Sequence, residues 1–373
     1  MFDSIGEVSP VNDEPVMADA LRLVRGRRGA TRLLVVRDGQ RYLDERSGCE
    51  PNSLFWMFSA GKPFLAVLVH RLAEQGLIAL DAPVAAYWPE FARFGKGGVT
   101  VRRVLQHRSG MAVATTTLGD ALAMTHWSHS VHRIERAKLR WPVGTVPAYQ
   151  YLAFGFILGE LVERVTGMPV ADALRRELLD PLGLHDTYLG VPEPELYRCV
   201  PIKGTTTVGR VAAVDLNRRS VRRAVIPAAG ISTTAEDVAR FYSMLLGGGT
   251  IGGTRILSPD TVTRMLRPSS NGELDRYAKA PVRWSEGFQL GGARHAAGFI
   301  SPLGELSSKQ AFGHNGSNCC VAWADPTRGL VFVHLTNRLG EGLDAIGHHS
   351  AVADAVIAAC DAADVASDIG ADG

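Results

Sequence analysis

Residues 56–76 read WMFSAGKPFLAVLVHRLAEQG, and the rest of the chain is best read outward from them. Phe64, Leu65, Leu68 and Leu72 recur at helical spacing, and Gly76 stands where a C-terminal cap belongs. Pro63 is costly inside a helix but tolerated in its first turn, so the helix is expected to begin near Ser59. Ser59 and Lys62 form a Ser-x-x-Lys pair. Residues three apart on a helix are neighbours, which sets the lysine amine beside the serine hydroxyl. A serine hydroxyl is a weak nucleophile until a base takes its proton. A buried lysine loses basicity and can serve as that base. The helix N-terminus favours negative charge developing nearby.

At 373 residues the chain has room for one large domain or two interleaved ones. A hydrophobic content of 46% and a charged content of 21% are those of an ordinary globular protein. A formal charge of +2 is too near neutral to argue for a nucleic-acid partner, and the arginine clusters at residues 25–28, 133–140 and 218–223, without alternating aromatics for base stacking, read as solvated faces, so no nucleic acid is expected. Five scattered cysteines (Cys49, Cys199, Cys319, Cys320 and Cys360) make neither a disulfide framework nor a zinc site and fit a reducing compartment. Cys319 and Cys320, read in one strand, are expected on opposite faces. The first fifteen residues are acidic and carry no apolar core, and no run is long enough to span a bilayer. The expected address is cytoplasmic.

Taken in order, residues 16–27 read as an amphipathic helix and residues 31–45 as a β-hairpin turning at Asp38-Gly39. After the Ser59 helix, a proline-punctuated crossing at residues 80–91 leads into a mainly helical block. Helices are expected there over residues 101–106, 118–126, 152–166 and 170–178. The sheet is expected to resume near Arg210. Residues 228–249 read as a glycine turn and a capped helix, and residues 258–266 as a short helix. Strands are expected at 284–290, 319–324 and 330–336, and a covering helix at 349–363. Gly247, Gly249 and Gly252 match Gly-x-Gly-x-x-Gly but follow a helix, which rules out a dinucleotide site. The organisation expected is an α/β (α+β) domain of residues 1–80 and 210–373 with an antiparallel sheet, a mainly helical domain of residues 81–209, and a site between them.

Five segments then read together: SAGK at Ser59, LQHRSGM at Leu105, WPVGTVPAYQY at Trp141, AAGISTTAEDVARF at Ala228 and FGHNGSN at Phe312. In this order and at these separations the chain resembles the serine β-lactamase and penicillin-binding-protein-like superfamily. The likeness is greatest to its class C branch and the family VIII carboxylesterases. The resemblance implies a β-lactamase/transpeptidase-like fold, an antiparallel sheet flanked by helices with an inserted all-helical region. It implies Ser59 as the acylated nucleophile, Lys62 as general base, and Tyr149 as a tyrosine that shares proton transfer. Such a tyrosine acts if two nearby cations pull its pKa below its usual value near 10. His314, Asn315 and Gly316 stand where the family has Lys-Thr-Gly, or in many esterase-like members His-x-Gly. Gly316 is expected to let substrate approach the strand, and His314 to donate a hydrogen bond into the site or tune Tyr149. The backbone N–H groups of Ser59 and Ser317 would form the oxyanion hole.

Two departures bear on the substrate. Tyr151 stands where the family's Tyr-x-Asn motif has asparagine, and His314 stands where the family has a lysine that holds the β-lactam carboxylate. Both weaken β-lactam and peptide turnover and leave ester cleavage intact. The expected function is a serine hydrolase acting on a small-molecule acyl ester, with no metal and no cofactor. A β-lactamase or D-Ala-D-Ala peptidase, an acyltransferase and a catalytically silent ligand-binding relative are the alternatives.

Overall fold

The computed structural model describes residues 16–292, 299–340 and 343–371. Helix α1 (Ala18–Arg25) leads into the hairpin β1 (Thr31–Arg37) and β2 (Gln40–Ser47). Asp38 and Gly39 both take positive φ, +48° and +77°, the tight turn that an Asp-Gly pair permits. A two-residue strand, β3 (Phe55–Trp56), runs into a 3₁₀ turn (Phe58–Gly61) and then helix α2 (Lys62–Glu74), with Pro63 in its first turn. The block that follows is carried by α3 (Val101–Leu105), α4 (Thr117–Ala123), α5 (Trp127–Arg136), α6 (Ala153–Thr166), α7 (Val170–Leu174) and α8 (Asp180–Leu182). Short strands β4 (Tyr188–Leu189) and β5 (Lys203–Gly204) come next, then α9 (Thr207–Leu216) and α10 (Arg219–Arg222). The expectation that the sheet resumes near Arg210 is therefore corrected. Thr206 caps a helix there through its side chain, and the next strand, β6 (Ile231–Thr233), pairs with β3 and β4 in a small separate sheet.

Helix α11 (Ala235–Leu246) is capped by Thr234, and a small hairpin, β7 (Thr250–Ile251) and β8 (Thr254–Arg255), precedes helix α12 (Pro259–Met265). The remaining strands are β9 (Gln289–Leu290), β10 (Phe312–Gly316), β11 (Cys320–Asp325), β12 (Leu330–Thr336) and β13 (Arg338–Leu339), and helix α13 (Leu343–Ala371) closes the chain. The six-stranded central sheet runs β2-β1-β12-β11-β10-β9, antiparallel throughout.

Both faces of this sheet are buried, which explains the unbroken apolar runs of β1, β11 and β12. Leu33, Val35, Val321, Trp323, Leu330 and Phe332 face α1 and α13. Leu34, Val36, Ala322, Ala324, Val331 and Val333 belong to the larger core, which continues through α2, α6 and α11. The expected split of Cys319 and Cys320 does not occur. Cys319 lies in the turn before β11, and both thiols are buried in the larger core. All five cysteines are free thiols. Arg222, expected on a solvated face, is 3% exposed and lies 4.9 Å over the Trp56 ring; burial brings its pKa down to about 10. Among the described residues, no helix is long and apolar enough to cross a membrane.

Candidate active site

The serine is delivered by a backbone bend. Phe58 has φ +49°, a left-handed conformation uncommon for a bulky residue, and it turns the chain from β3 into the first turn of α2. Strand β10 passes directly against this bend. A Cβ on Gly316 would come within 2.0 Å of the Met57 carbonyl oxygen and 3.1 Å of the Ala60 nitrogen. Gly316 is thus required by the approach of protein to protein.

Lys62, one helical turn along from Ser59, is fully buried. Its Nζ lies 3.1 Å from Ser59 Oγ and 3.1 Å from the Ala228 carbonyl oxygen. No described carboxylate bonds to it, and burial lowers its pKa well below 10.5. Tyr149 Oη reaches Ser59 Oγ from the other side at 2.6 Å. The Tyr149 ring lies between the Lys62 amine, 4.8 Å from its centroid, and the Trp284 ring, stacked at 5.4 Å. Burial raises the Tyr149 pKa above 10; its hydrogen bond to Ser59 opposes this only in part. The expectation of a cation-lowered tyrosine is corrected on physical grounds: Lys62 is driven towards its neutral amine, and the neighbouring strand supplies histidine instead of lysine.

The bonds converge on the serine. The Lys62 amine donates to the Ala228 carbonyl oxygen and to Ser59 Oγ. Ser59 Oγ in turn accepts from the Tyr149 phenol.

His314 is 1% exposed, and its Nδ1 lies 2.7 Å from the Asn315 carbonyl oxygen. A carbonyl only accepts, so Nδ1 carries the proton. Burial, with the neighbouring Lys62, brings the ring's pKa down to about 3. Nε2 therefore offers a lone pair, and no described side chain or backbone group bonds to it. The expected donor is an acceptor. Asn315 is occupied with the turn beyond it: its Nδ2 donates to Asn318 Oδ1 at 2.7 Å and its Oδ1 accepts from the Asn318 N–H at 3.2 Å.

A cavity of about 270 Å³ opens over the serine, lined by Ser59, Tyr149, Tyr151, Tyr277, Ala278, Val282, Trp284, Gln289, His314, Asn315 and Ser317. Tyr151 forms an aromatic wall with Tyr277, their ring centroids 6.3 Å apart. No lysine, arginine, aspartate or glutamate is among these lining residues.

Two residues that the sequence does not single out hold Tyr149 in place. Asp275 is fully buried, and its carboxylate accepts from the Tyr149 N–H at 2.9 Å, the Trp284 indole at 3.0 Å, the Tyr277 N–H at 2.9 Å and the Ala278 N–H at 2.8 Å. It thereby ties the tyrosine to the ring stacked on it. His107 accepts the Gln150 N–H on Nδ1 at 3.1 Å, and the Ala148 N–H bonds to the His107 carbonyl at 2.8 Å. An aspartate in a polar loop carries no sequence signal for this. His107 lies inside the LQHRSGM segment, which marked the place without the role.

The family model described as Beta-lactamase matches residues 16–357. A protein of Mycobacterium tuberculosis named Esterase/beta-lactamase LipL is 32% identical over 355 residues, covering 84% of this chain and 78% of that protein. The crystal structure of a penicillin-binding protein homologue from Caulobacter crescentus superposes with a TM-score of 0.79 at 26% identity, covering 94% of this chain and 99% of that one. That of a family VIII carboxylesterase gives 0.78 at 26% identity, covering 93% and 99%.

Proposed function

This chain belongs to the beta-lactamase family of hydrolases, and from that premise we propose that it cleaves carboxylic esters through an acyl-enzyme on Ser59. The observation that carries the reading is the pair of bonds at Ser59 Oγ: a buried amine on one side, a phenol on the other, at the base of an apolar and aromatic cavity. As Oγ attacks the ester carbonyl, its proton passes to Lys62. The developing oxyanion takes hydrogen bonds from the Ser59 and Ser317 N–H groups. Collapse expels the alkoxide, which takes the Tyr149 phenol proton, and Lys62 returns its extra proton to the phenolate. Water then enters in place of the alcohol, and the same relay run in reverse releases the acid.

The preference for esters over β-lactams rests on the cavity wall. A β-lactam carries a carboxylate that needs a cation, and the described lining residues offer none, with Tyr151 in place of the motif asparagine and a neutral His314 in place of lysine. An alcohol in place of water would make the same acyl-enzyme an acyltransferase, and Tyr151 is the residue that keeps a silent binding relative in view.

The test is turnover of p-nitrophenyl acetate, butyrate and octanoate, beside a chromogenic cephalosporin, by wild type and Ser59→Ala. Ester turnover that vanishes in Ser59→Ala, with little cephalosporin turnover, supports the reading. Turnover that survives in Ser59→Ala overturns the mechanism, and strong cephalosporin turnover overturns the substrate preference. A folded wild type that a fluorophosphonate fails to label favours the binding relative.

A further inference from the structure

Behind the turn that carries Ser317 lies a line of buried polar groups that the reaction does not use. Ser317 and Asn318 both take positive φ, +47° and +56°, and the Cys319 N–H bonds back to the Gly316 carbonyl at 2.8 Å. Two consecutive left-handed residues other than glycine hold that shape only where their surroundings enforce it. Asn315 braces the turn from the cavity side. From the opposite side, His349 of α13 places Nε2 3.1 Å from the Asn318 carbonyl oxygen. His349 Nδ1 lies 3.0 Å from Nδ1 of His334 on β12, and His334 Nε2 lies 3.3 Å from Thr31 Oγ1 on β1. Both histidines are fully buried.

The terminal carbonyl fixes every proton in this line. Asn318 O only accepts, so His349 Nε2 carries hydrogen. In a neutral ring the other nitrogen is then bare, and it takes the His334 Nδ1 proton. His334 Nε2 is left to accept the Thr31 hydroxyl proton. Burial keeps both rings neutral, and nearby positive charge acts the same way: Arg27 bears on both, and His348 lies with its ring 5.5 Å from His334 and 6.0 Å from His349. The result is a directed chain from the centre of the sheet, through a helix, to the Asn318–Cys319 peptide in the turn that carries Ser317.

We propose that His349, held in its tautomer by His334 and Thr31, is a positioning residue that fixes the Asn318 peptide and so aims the Ser317 N–H at the oxyanion. This rests on the reading of Ser317 as an oxyanion donor. His349 touches neither substrate nor Ser59, so its effect falls on transition-state stabilisation and leaves ground-state binding alone.

The test compares wild type, His349→Gln, His349→Phe and Ser59→Ala on p-nitrophenyl butyrate, with inhibition by phenylboronic acid, whose tetrahedral adduct on Ser59 presents an oxygen to the same N–H. Gln places an amide N–H close to where Nε2 stood, and Phe keeps the ring volume without a donor. His349→Phe is expected to lower kcat by about tenfold or more with KM unchanged, and to weaken the boronate in parallel. His349→Gln is expected to recover most of both losses. Phe and Gln variants that match each other, or kcat and KM changing together, overturn the proposal. Should His349→Phe fail to fold, His349→Gln against His349→Leu reads the same difference. A folded wild type with no Ser59-dependent ester turnover overturns the reading of the site, and this inference with it. Normal wild-type turnover with an indifferent His349→Phe overturns the inference alone.

Discussion

Lys62 is the base of the proposed mechanism. Burial lowers its pKa well below 10.5, so the activity should rise with pH through a Lys62 ionisation below that value. Lys62→Arg retains a cation and loses the base, and a fall in kcat of about 10²–10⁴-fold is the expected outcome in a steady-state ester assay. Asp275 makes a different demand. Asp275→Asn keeps the size but turns one acceptor oxygen into a donor facing N–H groups, so Tyr149 and Trp284 should lose their common anchor. A kcat loss of about tenfold or more, with a lower Tm, is expected, and an unchanged kcat would remove Asp275 from the positioning machinery. Ser59 and Lys62 were legible from sequence because their spacing is local, and Tyr149 and His314 only through the ordered set of family-like segments. Asp275 was not, because it stands 126 residues from the amide it holds and its loop looks like any polar loop.

At the scale of elements, the decisive contact is strand β10 against the bend at Phe58. Gly316→Ala would drive a methyl group into the Met57 carbonyl, a contact the backbone must yield to. The expected result is a Tm lower by several degrees and loss of fluorophosphonate labelling, since the strand and the nucleophile bend can no longer keep their spacing. The long elements here were readable: α2, α6 and α11 carry enough periodic residues to declare themselves, and β1 and β12 show as unbroken apolar runs between turn residues. Strands β3, β4 and β6 were not, because two or three residues show no period and their pairing is decided by distant segments. The misread stretch near Arg210 has the same origin, since a valine-rich segment with a threonine cap serves as helix α9.

For the whole molecule, buried neutral histidines set the response to acid. His314 and His349 are each brought down to a pKa of about 3 by burial, while an unfolded histidine titrates near 6.5. The unfolded chain therefore binds protons first. Stability is at its full value above about pH 6.5, falls as pH drops, and stops falling from this cause near pH 3. The slope is about 1.4 kcal/mol per pH unit for each histidine. A Tm series from pH 7 to pH 4.5 should show this decline, and His349→Gln should flatten part of it. The double-sided sheet explains why His334 is sealed in: helices cover both faces, so a polar side chain on β12 has no route to water.

The wall of the cavity, without a lysine, arginine, aspartate or glutamate among its described residues, also governs how substrate arrives. Fields that gather ligands from a distance come from net charge at the mouth of a site, and added salt weakens them. Here encounter with an uncharged ester is left to diffusion and to the apolar surface of Tyr151, Tyr277 and Trp284. The kcat/KM should thus be nearly indifferent to ionic strength from about 0.01 to 0.5 M, while anionic and cationic esters of equal size should gain no advantage in rate of capture over their neutral counterpart.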